Sequence, residues 1–112
     1  MADVETSARL MLAALKLSER TRRGSANWAS SDEANTFVWS GLSSAVSIAQ
    51  YRTVNATRVR MAVVNEMGDE IDSITVDHRS EDYEALERLF ELARRSALNV
   101  DSVLDNLLNE LG

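Results

Sequence analysis

The clearest pattern in the chain lies between Thr57 and His78. Apolar and polar side chains alternate there on either side of Met67-Gly68, which is the signature of two β-strands joined by a tight reversal. Gly68 supplies the positive φ that a short turn needs, and Asn65 and Asp69 are favourable turn residues beside it. A turn centred on Met67-Gly68 sets Val59 against Val76, Met61 against Ile74, Val64 against Ile71 and Arg58 against Asp77. A slip of one residue would move every apolar side chain to the other face, so the pattern fixes the register. Val59, Met61, Ile74 and Val76 form the predicted core face, with Arg58, Arg60, Thr75 and Asp77 toward solvent. Glu66 would oppose Asp69 in a two-residue loop, so a four-residue loop, Glu66 to Asp69, is expected. Val63 opposite Asp72 is the one ill-matched pair, and it predicts a bulge near Ser73.

Helical spacing rules both ends. Asp3 is placed to cap a helix running to about Arg23, with Val4, Ala8, Met11, Leu15 and Ser18 on one row and Leu10, Leu12, Ala14 and Leu17 widening it. Gly24 stops it, and the cations of its last turn suit the helix dipole. Short alternating runs follow at 27–30, 36–40 and 45–51, separated by polar turns at 31–35 and 41–44. Beyond the hairpin, Ser80, Glu81 and Asp82 open a helix whose buried face is Tyr83, Leu86, Leu89, Phe90, Ala93 and Ala97. The spacing also predicts Glu84–Arg88 and Glu91–Arg95 ion pairs. Asn99 ends this helix in the left-handed conformation, and Asp101 caps a final short helix with the stripe Val103, Leu104, Leu107, Leu108 and Leu111. The expectation is one α+β domain over 1–112: an N-terminal helix, an antiparallel meander of four to five strands, and two C-terminal helices.

A helix of so few residues is not stable alone. The last one must therefore dock, on its own sheet or on a partner. The first helix likewise carries more apolar surface than one small sheet requires. Both observations predict a protein partner, most simply a second copy of the chain. Leu104, Leu107, Leu108, Leu111, Met11 and Leu15 are the candidate contacts.

Composition narrows the choice. The chain has 112 residues, 45% of them hydrophobic, enough for one domain that buries about two-thirds of its unfolded surface. It has no cysteine, which removes disulfides, thiolate metal sites and cysteine nucleophiles. It has no long apolar run and no signal-peptide pattern, so a cytoplasmic protein with no membrane span is expected, and the sequon at Asn55-Ala-Thr57 reads as coincidence. The net charge of −6 disfavours duplex nucleic acid as a partner. Locally the sign reverses: Arg20, Arg22 and Arg23 precede Gly24 and form a weak candidate anion contact or basic lip. Trp28, Phe37 and Trp39 are candidates for an aromatic platform, although aromatics at strand positions more often belong to the core.

No catalytic, cofactor or metal signature is present. His78 is the sole histidine and gives no ligand spacing. Asp77 beside it points to the opposite face of a strand. No G-x-S-x-G elbow supports a hydrolase, and four scattered glycines make no phosphate-cradling loop. Glu81, Asp82, Glu84, Glu87 and Glu91 follow a helix surface and read as a solvated face. The predicted function is therefore a non-enzymatic interaction module without cofactors. A ligand binder or small enzyme centred on His78 is one alternative. Another is an acidic inhibitor or chaperone-like binder that presents residues 81–110 to a basic partner.

The order of elements resembles that of short, uncharacterised bacterial or phage proteins. The resemblance rests on the leading helix with its Arg22 to Trp28 ending, the meander with a glycine turn at Gly68, and the ending LERLFELARRSALNVDSVLDNLLNEL at 86–111. It departs at Asn99, where those proteins favour glycine, and it implies a fold but no activity. A looser analogy, at the level of architecture alone, is to small acidic dimeric secretion chaperones.

Overall fold

The computed structural model describes residues 4–112, and side chains from Ser7 onward. The elements run α1 (Val4–Arg22), β1 (Ala29–Ser30), β2 (Thr36–Ser40), β3 (Ser44–Arg52), β4 (Thr57–Asn65), β5 (Glu70–Asp77), α2 (Tyr83–Ala97) and α3 (Val100–Leu111). The strands form one antiparallel sheet in sequence order, β1-β2-β3-β4-β5. This is the α+β arrangement expected from the pattern. The cap expected at Asp3 lies outside the described residues.

Both α1 and α2 lie on one face of the sheet. α2 crosses all five strands, and α1 runs beside α2 and reaches β5. The core joins Leu10, Ala14 and Leu17 of α1, the inward row of the strands and Leu86, Leu89, Phe90 and Ala93 of α2. Ile48, Val59, Met61, Leu86 and Leu89 are its fully buried centre. Phe37 meets Phe90 with ring centroids 5.6 Å apart in a tilted arrangement. The opposite face of the sheet mixes small side chains with Tyr51, Arg58 and Arg60. Ala29, Val38, Ser47, Ala62 and Ser73 align across all five strands, and among the described residues no helix covers them.

Three local devices position the helices. At the end of α1 the amide of Gly24 donates to the Thr21 carbonyl and that of Ser25 to the Arg20 carbonyl, with Gly24 at φ +79°. This double closure satisfies the last carbonyls of the helix. Thr21 then accepts the indole N–H of Trp28 at 2.9 Å, while the Trp28 amide donates to Ser96 of α2 at 3.1 Å. Trp28 therefore ties the ends of α1 and α2 to the start of the sheet. At the end of α2, Asn99 adopts φ 54°, ψ 44°, and a two-residue connection turns the chain into α3.

The β4–β5 register agrees with expectation from Arg58–Asp77 through Val63–Asp72 and departs from it beyond that pair. Val64 faces Glu70, not Ile71, and the bulge falls at Ile71, not near Ser73. The cause is the turn. Asn65 Oδ1 accepts the amides of Met67 and Asp69, and the Asn65 amide closes on the Asp69 carbonyl. That closure is one residue shorter than the register the apolar rows require, and Ile71 absorbs the difference.

Other expectations are corrected as well. The row of α1 that enters the core is Leu10, Ala14, Leu17 and Ser18, whereas Ala8 and Leu15 face outward. Asp101 does not cap α3. The helix begins at Val100, Asn99 holds the cap position, and Asp101 instead bonds Arg95 at 2.5 Å. Arg94 takes Glu91, so the Glu91–Arg95 pair does not form, and no Glu84–Arg88 pair forms among the described residues. Nor does α3 dock on its own sheet: none of its residues is buried.

Candidate interaction surface

The outer face of the molecule is unusual at two helices. In α3, Val103, Leu104, Leu107, Leu108 and Leu111 keep between 45% and 74% of their surface exposed. They recur at three- and four-residue intervals and so share one face of the helix. Five large apolar side chains left in water on one short helix oppose the hydrophobic effect, at roughly 1.5–3 kcal/mol for each that could be fully buried. Asp101, Asp105 and Glu110 are the charged residues of the helix, which has no cation.

The second exposed patch is on α1. Leu12 and Leu15, 54% and 55% exposed, stand outward one turn apart, while Met11 beside them packs against the core edge. Leu15 is a ridge between two grooves. One, of about 380 Å³, is bounded by Lys16, Glu19, Arg20 and Arg23, and the other, of about 240 Å³, by Ser18, Glu19, Arg22, Ala85 and Arg88. The stems of the long cations supply much of the apolar wall.

The predicted candidates therefore separate. Leu104, Leu107, Leu108 and Leu111 form one exposed stripe, Leu15 belongs to the second patch, and Met11 is half-buried beneath it. Arg20, Arg22 and Arg23 do not converge on a common point. Arg20 lies over the Trp39 ring, 5.8 Å from its centroid, and donates to the Ser25 carbonyl. Arg22 and Arg23 both lie against Glu19, at 3.6 and 3.8 Å. The aromatic platform is not assembled either: Trp28 and Phe37 are in the core, and only Trp39 reaches the surface.

Sequence reasoning missed the Arg20–Trp39 stack, which forms the wall of an open cleft of about 590 Å³ with Ser25, Asn27, Gly41 and Leu42. Gly41 is required there, because a Cβ would sit 2.8 Å from the Trp39 ring. Nothing in the local pattern signals a contact between residues 19 positions apart on a helix and a strand. The cleft is shallow, and its polar lining offers no acid–base pair.

His78 is exposed in the β5–α2 connection. Its neighbour Asp77 is committed to Arg79, whose Nη2 donates to Oδ2 at 2.7 Å and whose amide donates to Oδ1 at 2.9 Å. The Arg79 side chain, and then its amide, hold the Asp77 carboxyl well below the usual carboxylate range. An acid that remains ionised and paired in this way is no general base for His78. The Tyr83 hydroxyl is pushed up from its ordinary value, chiefly by its hydrogen bond to Glu87. Among the described residues no group of three or more His, Asp or Glu is arranged to hold a metal ion, and no helix is long and apolar enough to cross a membrane.

No family model, curated protein or solved structure matches this chain.

Proposed function

We propose that this protein is a non-enzymatic interaction module that assembles with itself through its helices. One observation carries the reading. No residue of α3 is fully buried in its own chain, yet the helix presents five large apolar residues along one face. A 12-residue helix is marginal in isolation, so its stability must come from a partner that covers the stripe. A second copy is the simplest such partner, because the same chain also offers an exposed apolar patch on α1. The remaining chemistry supports no competing reaction: Asp77 is paired with Arg79, His78 stands in solvent, and the exposed acidic residues of α2 lie along a helix surface.

Light scattering across a concentration series tests the reading. The wild type is expected to populate a dimer. The double substitution Leu107→Asp with Leu108→Asp is expected to weaken that dimer at least tenfold without altering the circular dichroism, since both positions are exposed. A wild type that remains a monomer throughout overturns the proposal.

A further inference from the structure

We propose that the seam pairs unlike helices across a two-fold axis: α3 of one copy lies along the outer face of α1 of a second copy, and the exchange is reciprocal. The inference rests on the self-association reading and specifies its surfaces.

Charge selects the pairing. α3 holds Asp101, Asp105 and Glu110 and no cation, so two α3 helices packed together would gather six carboxylates around one seam with nothing to neutralise them. α1 is the opposite. Its sequence carries Arg9, Lys16, Arg20 and Arg22 against Glu5 and Glu19, and Arg23 follows directly after it. The charges are available in part, since Arg22 and Arg23 lie against Glu19 at 3.6 and 3.8 Å. Asp101 is engaged by Arg95, but Asp105 and Glu110 have no ion-pair partner among the described residues, and neither has Lys16. Lys16 and Arg23, seven residues apart, line one edge of the Leu12–Leu15 patch, and Arg22 lines the other.

Shape agrees. The rows Leu104–Leu108 and Leu107–Leu111 are four-residue ridges, which pack into grooves of a facing helix. The two grooves flanking Leu15 are there to receive them. α3 is about 18 Å long, and the outer face of α1 from Ala8 to Arg22 is about 22 Å, so the whole stripe is accommodated. Reciprocal exchange about a two-fold axis doubles the contact made by a single seam and closes the assembly as a dimer.

Charge reversal tests the pairing. One variant carries Lys16→Glu and Arg23→Glu, the other Asp105→Lys and Glu110→Lys. All four positions are exposed, and circular dichroism verifies the fold. Each variant alone is expected to self-associate at least tenfold more weakly than wild type. An equimolar mixture of the two is expected to recover wild-type affinity, because each acidic face then meets a basic one. Undiminished self-association of the Lys16→Glu, Arg23→Glu variant overturns the α3–α1 seam while leaving self-association intact. A monomeric wild type overturns both readings.

Discussion

Asp77 receives three hydrogen bonds from Arg79, through the amide, Nε and Nη2, and only 11% of its side chain is exposed. Across the strand Arg58 stands opposite it, in the register the alternation dictates, yet lends only its field, and Arg58 Nε is buried with no hydrogen-bond partner among the described residues. The sequence shows the pairing of positions but not this choice of partner, because Arg79 lies in a connection whose path no periodicity describes. The consequence is a pH dependence. The carboxyl is held below its unfolded value of about 3.9, so its contribution is fully present above that pH and is lost as pH falls toward the folded value. Urea titrations of the wild type and of Asp77→Asn are therefore expected to differ at pH 7, with the variant less stable, and to converge progressively below about pH 4.

At the scale of elements, the longer strands and the helices were legible, because each carries a period of two or of 3.6 over several residues; β1, of two residues, was marked only by the apolar Trp28 before it. What was not legible is how elements compromise. The β4–β5 strands demand one register, the Asn65 turn closes on another, and Ile71 is left over with 61% of its surface exposed. Likewise, α1 has apolar residues nearly all round, so periodicity alone could not say whether Leu15 or Leu17 faces in; packing beside α2 decided it. The candidate stripe on α3 was readable in full, since its spacing is unambiguous, but its isolation from the sheet was not. The Asn65 turn can be tested by itself. Asn65→Ala removes the acceptor for two amides and is expected to cost about 1 kcal/mol, a fall of roughly 4–8 °C in thermal midpoint, with the fold retained.

The whole molecule is longer than its size requires. Its extents are 54 × 37 × 25 Å and its radius of gyration is 14.9 Å, against about 13 Å for a compact chain of this length. The excess is consistent with α3, which projects from the body. A chain ending at Asn99 would lose the exposed Arg95–Asp101 pair and the half-buried Val100, a loss of about 1–2 kcal/mol. In dilute solution it is expected to melt only a few degrees below the full chain, to scatter X-rays with a radius of gyration near about 13 Å, and to show no self-association.

The order of the strands has a bearing on how the chain is made. Each strand pairs with its neighbour in sequence, so the sheet can zip together from short-range closures soon after it is synthesised. α1 cannot follow that course. Its inner row, Leu10, Ala14 and Leu17, packs with α2, whose buried residues begin at Leu86, roughly 70 residues later. At roughly 5–20 residues per second, translation leaves that row uncovered for several seconds. α1 thus emerges well before α2 covers it, and during that interval the nascent chain shows an apolar face on both sides of α1.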